Sequence, residues 1–435
     1  MAITNVLRNK AFWALDKLKG NSLKNDIEDI KNCFDLSSFE LLQKRNEPIL
    51  NKLLSEAVCN TAYYQSYKGF KHLSDFPVVN KLIIKNNFEE INIQQKNSYK
   101  ASSVSTSGST GTPFKIYQTK RKKTRNTADT IYFANSAGFT IGDKLLYLRL
   151  WAAYYKKNWI LAKLQNVDQL DVEDLKDDYI NKLIARLQKD NSPKGWLGYP
   201  SAYEKLCNYL DKTNSNPLNC NIKSIISMSE PLSESVASKM EYYFQNPVVS
   251  RYSNVENGII AQQIPKTDYF TINWASYIIE ILDMEKDIPA KQGEIGRIVL
   301  TDLYNLATPM IRYDTGDVGS FIIEQNLNNG FPMFKSVAGR ITDILRNTDG
   351  EIVNPFIIYN NLYRYPELDQ IQLIQNSNRT YTFRINCTGT FIREKEFLNF
   401  FKGFLGQDAI VTVEYVNEIP LLKSGKRKII VNLTK

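Results

Sequence analysis

Histidine is nearly absent from this sequence: its 435 residues include one, His72. A Ser-His-Asp triad, an H-E-x-x-H zinc site and a two-histidine iron site all need histidine, so each would have to use this residue. His72 lies between Lys71 and Leu73 without a partner motif, which is typical of a surface or partly buried side chain. Any catalysis is therefore expected to rely on carboxylates, lysines, hydroxyls, backbone amides or a bound metal.

Cysteine and long apolar runs are also scarce. The five cysteines are an odd number, widely spaced and without a C-x-x-C pair, which argues against a disulfide framework or a zinc site and predicts free thiols in a reducing, cytoplasmic location. No stretch reaches the ~18 consecutive apolar residues of a transmembrane helix. Residues 1–20 lack the apolar core and cleavage site of a signal peptide.

The N-terminal 20 residues mix apolar and basic side chains at helical spacing. We expect an amphipathic helix that packs its apolar face on the core. The alternative is a basic helix that lies on a membrane surface, which would give the protein a peripheral membrane contact.

Basic residues exceed acidic ones, with 55 Lys and Arg against 46 Asp and Glu and a formal net charge of +9. The sequence pI is about 9.0. This excess favours anionic partners, although a lysine-rich solvated surface would give the same count. The basic residues are dispersed and no basic run is interleaved with aromatics, so we predict no nucleic-acid binding.

The order of predicted elements indicates an α/β protein. Residues 1–64 read as helical, and strands and helices then alternate, with a buried strand at residues 222–227 followed by a helix at 233–243. Strands predominate after residue 277, and a compact α+β unit follows Gly339 and Arg340. We predict a large multi-layer domain at residues 1–339 and a small mobile domain at 340–435.

Residues 105–113 read Ser-Thr-Ser-Gly-Ser-Thr-Gly-Thr-Pro and interrupt the pattern of apolar residues. Such a loop can curl so that backbone N–H groups and hydroxyls converge on the phosphates of ATP. It lacks the Gly-Lys-Ser/Thr ending of a Walker A loop. By composition alone it could equally be a flexible linker.

Four further motifs follow this loop in order, at residues 251–256 (Arg-Tyr-Ser-Asn-Val-Glu), 311–317 (Ile-Arg-Tyr-Asp-Thr-Gly-Asp), 339–343 (Gly-Arg-Ile-Thr-Asp) and 424–426 (Ser-Gly-Lys). Together the five motifs resemble the adenylate-forming superfamily of acyl-CoA synthetases, luciferases and adenylation domains. The resemblance spans essentially the whole chain. It implies attack of a carboxylate on the α-phosphate of ATP, followed by transfer of the acyl group to a nucleophile.

The resemblance also implies roles for single residues. Lys426 would be the catalytic lysine, and Glu256 would bind Mg²⁺. Asp317 would accept hydrogen bonds from both ribose hydroxyls, Arg340 would reach the ribose or phosphate, and Tyr252 would stack on adenine. The remaining nucleotide-binding residues would be Ser107, Gly108, Ser109, Thr110, Gly111, Thr112, Ser229, Glu230, Pro231, Ser253 and Asn254. The carboxylate pocket would include Trp196, Tyr199 and Pro200, which could equally be core residues.

Within the superfamily, the chain most resembles the phenylacetate–CoA ligase branch and its capsule-biosynthesis (CapK-like) relatives. The residues that carry this resemblance are residues 76–81 (Phe-Pro-Val-Val-Asn-Lys), 198–201 (Gly-Tyr-Pro-Ser) and 300–305 (Leu-Thr-Asp-Leu-Tyr-Asn). The acceptor would be CoA, an acyl carrier or an amine or hydroxyl of a polysaccharide precursor. A non-catalytic nucleotide-binding scaffold in polysaccharide assembly is the alternative, because Val255 stands where the family usually has a hydroxyl residue.

Overall fold

The computed structural model describes residues 3–93, 101–105, 114–151, 158–340, 345–353, 361, 364–365, 367–387, 389–420 and 427–434. The α-helices are α1 Ile3–Leu18, α2 Ser22–Phe34, α3 Phe39–Asn60, α4 Lys81–Asn86, α5 Phe88–Ile91, α6 Lys120–Ser136, α7 Trp159–Leu164, α8 Asp177–Lys189, α9 Pro200–Lys212, α10 Glu234–Phe244 and α11 Glu394–Leu405. Short 3-10 helices lie at Gln65–Tyr67, Leu73–Asp75, Val172–Asp174 and Asn328–Gly330.

The strands are β1 Ser102–Ser105, β2 Lys115–Gln118, β3 Lys144–Arg149, β4 Val167–Asp171, β5 Lys194–Gly198, β6 Ile222–Met228, β7 Val248–Asn254, β8 Gly258–Gln263, β9 Phe270–Ile272, β10 Tyr277–Leu282, β11 Gly296–Asp302, β12 Tyr313–Ile322, β13 Met333–Arg340, β14 Leu345–Arg346, β15 Ile352–Val353, β16 Leu368–Gln375, β17 Thr380–Cys387, β18 Ile410–Tyr415 and β19 Ile430–Asn432. The α/β class predicted from the sequence is confirmed.

Backbone contacts divide the chain into two compact units, of which the first is Met1–Asp143 with Val249–Val337. Its strands follow one another in the sheet order β10-β11-β12-β13-β9-β8-β7, and β10/β11, β11/β12, β7/β8 and β8/β9 pair antiparallel. Side chains from α2, α3 and the sheet form a continuous apolar core. Helix α6 packs along α2.

The second unit comprises Lys144–Val248 and Ala338–Lys435. Its first part is a parallel sheet in the order β6-β5-β3-β4, with its own core built from strands and helices α8 to α10. Its second part is a four-stranded sheet in the order β18-β17-β16-β19, which packs with α11 around a separate core. The proposed division into domains 1–339 and 340–435 stays a prediction.

Helix α1 meets the expectation of a core-packing apolar face only in part, because Val6, Phe12 and Trp13 are half-buried while its leucines are exposed. Its buried side chains are Asn5 and Asp16, whereas Leu7, Leu15 and Leu18 are 59%, 56% and 83% exposed. The attached face also carries hydrogen-bonding groups: the Asp16 carboxylate, for example, accepts two backbone N–H groups of the first turn of α2. No helix among the described residues is long and apolar enough to cross a membrane.

Candidate active site

Glu256 is the centre of a polar cluster in the first unit. It lies in the turn between β7 and β8 and is only 2% exposed. Its Oε1 accepts a hydrogen bond from the Tyr313 hydroxyl at 2.9 Å and forms an ion pair with Lys81 Nζ at 2.8 Å. The backbone carbonyl of Glu256 accepts a hydrogen bond from Gln118 Nε2 at 2.8 Å. The carboxylate is therefore fixed both through its backbone and through its side chain.

Lys81 reaches this cluster because the segment before it is attached to β12. Val79 donates its N–H to the Arg312 carbonyl at 3.0 Å and accepts the Asp314 N–H at 2.7 Å. Asn80 then caps α4 by accepting the Ile83 N–H, so Lys81 begins the helix. The sequence identified this lysine only as part of a resemblance. One sequence signal was present: Asn80 is a typical helix-capping residue, which predicts that Lys81 is the first residue of a helix.

Tyr252 and Asp317 form the second half of the cluster. The Tyr252 hydroxyl donates to Asp317 Oδ2 at 2.8 Å and lies 3.3 Å from Thr315 Oγ1. Burial, reinforced by the Asp317 charge, raises the pKa of Tyr252 well above its usual value. Burial and the Glu256 charge do the same to the pKa of Tyr313. Both hydroxyls therefore remain protonated donors at physiological pH, and each orients one carboxylate.

Arg312 stabilises the motif at residues 311–317, and its side chain bonds residues outside the polar cluster. Its φ is +47°, a left-handed conformation that is uncommon for a residue with a side chain. Its guanidinium donates two hydrogen bonds to Glu280, at 3.1 and 3.0 Å, and one to the Phe76 carbonyl at 3.0 Å. This bidentate arrangement compensates for the strained backbone.

Several predicted site residues lie outside the described residues: Ser107, Gly108, Ser109, Thr110, Gly111, Thr112 and Lys426. Thr342, within the motif at residues 339–343, also lies outside them. The two ends of the predicted phosphate loop are described, and Ser105 of β1 pairs with Lys115 of β2. Lys115 Nζ lies over the rings of Tyr117 and Phe88, at 5.2 and 6.0 Å. Arg340 is the last residue of β13.

The end of β7 and the turn after it contain the other residues of the motif at residues 251–256, which ends in Glu256. Asn254 Oδ1 accepts the Asn257 N–H at 2.7 Å and thereby closes the turn that carries Glu256. Ser253 is paired with Ile259 of β8. Val255 is 54% exposed at the tip of the turn, where it has no hydroxyl to offer.

A second group of predicted residues lies in the second unit, at the carboxyl ends of its parallel strands. The chain passes from β3 to β4 on one side and then returns to β5 on the other side of β3. The order of strand connections therefore reverses between β3 and β5. Open α/β sheets bind ligands in the crevice at such a switch point. Tyr199 and Pro200 follow β5, and residues 229–231 follow β6, so both segments belong to this crevice edge.

The two segments are joined by Glu230. Its carboxylate accepts the Ser201 N–H at 2.9 Å and the Ser201 hydroxyl at 3.1 Å, at the start of α9. Ser229, immediately before it, has φ +70°, which is strained for a residue with a side chain. Backbone strain of this kind is a feature of functional sites, and no sequence pattern indicated it.

Arg149 adds a cation to the same edge. This residue ends β3, is half-buried, and its guanidinium lies 5.4 Å from the centre of the Trp151 ring. It also hydrogen-bonds Tyr199, whose pKa is raised by burial and lowered in part by this arginine. The sequence did not single out Arg149, because its place at the carboxyl end of a strand became evident only with the strand order.

Trp196 differs from its neighbours in being enclosed by the core. It is fully buried on β5, with ring centroids 5.7 Å from Phe244 and 6.2 Å from Tyr203. Of the two roles that the sequence left open for Trp196, its surroundings favour the core role. Its contribution to a carboxylate pocket stays a prediction.

Arg427, which follows Lys426 in the chain, is anchored within the second unit. Its guanidinium forms an ion pair with Glu204 at 2.7 Å, and its backbone N–H donates to Glu230 Oε1 at 3.1 Å. Burial raises the pKa of Glu204, and the arginine opposes that shift. Glu230 therefore contacts both the start of α9 and the segment that carries the predicted catalytic lysine.

Comparisons with known proteins agree with this architecture. No family model matches the chain. Protein CapK of Staphylococcus aureus is 24% identical over 430 residues, covering 94% of this chain and 92% of that protein. A solved structure of 2-hydroxyisobutyryl-CoA ligase, in the postadenylation state with R3-HIB-AMP, superposes with a TM-score of 0.69 at 17% identity, covering 90% of each chain.

The ATP-bound structure of MatB from Rhodopseudomonas palustris is also similar, with a TM-score of 0.53 at 17% identity, covering 75% of this chain and 66% of that one. The resemblance that the five motifs indicate is therefore confirmed at the level of structure: this chain has the fold of the adenylate-forming ligases.

Proposed function

We propose that this protein activates a carboxylic acid with ATP, forming an acyl-adenylate and pyrophosphate, and then transfers the acyl group to a nucleophile. The observation that carries the proposal is the proximity of the two carboxylates implied by the resemblance: Glu256 accepts the Tyr313 hydroxyl, Asp317 accepts the Tyr252 hydroxyl, and the charge of each carboxylate also raises the pKa of the other's tyrosine. Adenylate formation brings two anions together, so fixed donors and cations dominate the chemistry.

In this proposal Asp317 binds the ribose, because the two oxygens of a carboxylate suit a vicinal diol. The Tyr252 hydroxyl, held protonated, orients Asp317 from one side. The proposed stacking of the Tyr252 ring on adenine and the contacts of Arg340 complete the nucleoside site.

Glu256 is the residue that would hold Mg²⁺. Mg²⁺ is commonly bound in nucleotide sites through one or two carboxylates, with phosphates and water completing its shell. Glu256 fits this requirement, because Tyr313 and Lys81 engage Oε1 while Oε2 has no hydrogen bond to the described residues. The described residues contain no group of three or more metal-ligating side chains, so the phosphates would supply further ligands. The ion would neutralise phosphate charge.

The acid would bind at the carboxyl ends of β3, β5 and β6, where Tyr199, Pro200 and Arg149 meet. Lys426 would approach the attacking carboxylate and the α-phosphate and stabilise the charge that develops as pyrophosphate leaves. Arg427, the residue after Lys426 in the chain, is held by Glu204 and Glu230.

Replacing Arg149 by glutamine is expected to raise the KM for the acid about tenfold while leaving the KM for ATP unchanged, since a hydrogen bond to a charged group contributes ~1.5–3 kcal/mol. Steady-state kinetics with each substrate varied in turn would measure both values. The matched control is Arg186→Gln, which removes an exposed arginine of α8 in the same unit. Equal changes in both KM values would contradict a role in binding the acid.

Carboxylate-dependent exchange between ATP and pyrophosphate tests the proposal directly. The assay would use a panel of aryl, alkyl and amino acids, with omission of the acid as the blank. Exchange that appears with one acid and is absent from the blank is the expected result. ATP binding without exchange for any acid would favour the nucleotide-binding scaffold, a role consistent with the exposed Val255.

The acceptor is identified by the second half of the reaction. The net charge of +9 suits the phosphates of CoA, whereas the similarity to protein CapK favours an amine or hydroxyl of a polysaccharide precursor. AMP release would be measured with CoA and, separately, with amino sugars. A rate that rises with an amino sugar and not with CoA would exclude a CoA ligase.

A further inference from the structure

Helix α1 is attached to the first unit by a face that combines half-buried apolar side chains with hydrogen-bonding polar ones. Asn5 Nδ2 contacts Asp143 Oδ1 at 3.4 Å, and Asn9 Nδ2 donates to the Ile141 carbonyl at 2.8 Å. Gly142 permits this approach, because a Cβ at that position would lie 2.4 Å from the Asn5 carbonyl oxygen. Asp16 completes the attachment at the other end of the helix by accepting two N–H groups of α2.

The opposite face of α1 is an exposed apolar stripe. Leu7, Ala11, Ala14, Leu15 and Leu18 are all exposed, and at helical spacing they fall within an arc of about 100°. An ordinary surface helix buries such a stripe and exposes its polar side chains. In α1 the attached face is mixed, with Val6, Phe12 and Trp13 half-buried beside the polar groups, and the stripe on the opposite face stays exposed, so that stripe needs an explanation other than packing within the unit.

Cations border the stripe on both sides. Lys10 and Lys17 lie along one edge, and Arg8 and Lys19 along the other, as their helical spacing places them. Within the part of the chain that the structure describes, none of the four forms an ion pair. The single acid of α1, Asp16, is buried on the attached face. The exposed side of the helix therefore combines apolar area with uncompensated positive charge.

We infer that α1 binds an anionic membrane surface, with its apolar stripe in the headgroup region and its flanking cations on lipid phosphates. A helix with this distribution lies parallel to the membrane, and its affinity comes from buried apolar area together with attraction to anionic lipids. A protein partner would not require cations along both edges of the stripe. The site is independent of the proposed reaction.

Helix α7 of the second unit does not carry the same inference. It also exposes large apolar side chains, including Trp159 at 71% and Leu164 at 68%. It has only six residues and one cation, Lys163, so it lacks the two charged edges that distinguish α1.

Co-sedimentation of the full chain with vesicles tests the inference. Vesicles of phosphatidylcholine with phosphatidylglycerol should bind the protein, vesicles of phosphatidylcholine alone should not, and high salt should release it. The variant L7E/L15E places two charges in the stripe at exposed positions, where the fold tolerates them. We expect it to lower the bound-to-free ratio on anionic vesicles by about tenfold or more.

The matched control is Ile392→Glu, which adds a charge at an 88% exposed apolar residue of the second unit. It should leave vesicle binding unchanged, and neither variant should alter the ATP–pyrophosphate exchange rate in solution. Equal binding to neutral vesicles, or unchanged binding of L7E/L15E, would overturn the inference. A changed oligomeric state of L7E/L15E in light scattering would also overturn it, because the stripe would then be a protein interface.

Discussion

Replacing Glu256 by glutamine is expected to reduce carboxylate-dependent ATP–pyrophosphate exchange by at least about 100-fold. Glutamine keeps the shape of the side chain and can accept the Tyr313 hydrogen bond, but it removes the charge. The Lys81 ammonium, 2.8 Å from Oε1, would then lose its counter-ion, and the carboxylate oxygen proposed for Mg²⁺ would be an amide group. Initial exchange rates measured over a range of Mg²⁺ concentrations would show the loss.

The dependence on Mg²⁺ separates a ligand from a structural glutamate. If Glu256 binds the ion, higher Mg²⁺ should partly restore exchange in the variant, and its melting temperature should change little. The control is Glu285→Gln, which alters an exposed glutamate of the same unit and should leave exchange intact. A loss of exchange that is identical at every Mg²⁺ concentration would contradict the role proposed for this residue.

The regular elements of the protein were largely predictable from local pattern. The buried strand expected at residues 222–227 is β6, and the helix expected at 233–243 is α10. The order of strands was not predictable, because it depends on contacts between residues distant in the chain. The crevice edge at β3, β5 and β6, and with it Arg149, emerges only from that order.

Candidate site residues could be proposed from the sequence where a residue lies within its own motif. Glu256 and Asp317 were proposed in this way, and the structure shows that a buried tyrosine hydroxyl orients each of them. Lys81 was missed as a site residue because its approach to Glu256 requires the preceding segment to pair with β12. For helix α1 the apolar period did not show which apolar side chains pack on the unit, since Phe12 and Trp13 are half-buried whereas Leu7 and Leu15 are exposed.

Removing the amino group of Lys122 is expected to be the most destabilising single change. Lys122 on α6 and Asp302 on β11 are fully buried and form an ion pair at 2.6 Å. Lys122 Nζ also donates to the Tyr277 hydroxyl at 3.0 Å. Replacing Lys122 by methionine would leave the Asp302 charge unpaired in the core, so the free energy of unfolding should fall by about 3–5 kcal/mol, measured by urea denaturation.

Two further variants distinguish the loss of the buried ion pair from a general sensitivity of α6 to substitution. Lys123→Met alters the exposed neighbour of Lys122 and should change the free energy of unfolding by less than about 0.5 kcal/mol. The double variant Lys122→Met with Asp302→Asn should recover most of the loss, because asparagine carries no charge and keeps the oxygen that accepts the Tyr304 and Asn305 N–H groups, at 3.0 and 3.2 Å.

The same network links the core to the active site. The Tyr277 hydroxyl, which contacts Lys122, donates to the carbonyl of Asn257, the residue after Glu256. The segment at residues 300–305, which resembles the family, contains Asp302, the partner of Lys122. This segment therefore supports the turn that carries Glu256. If the double variant recovers stability but not exchange, the buried charges position Glu256. If both recover together, their role is confined to stability.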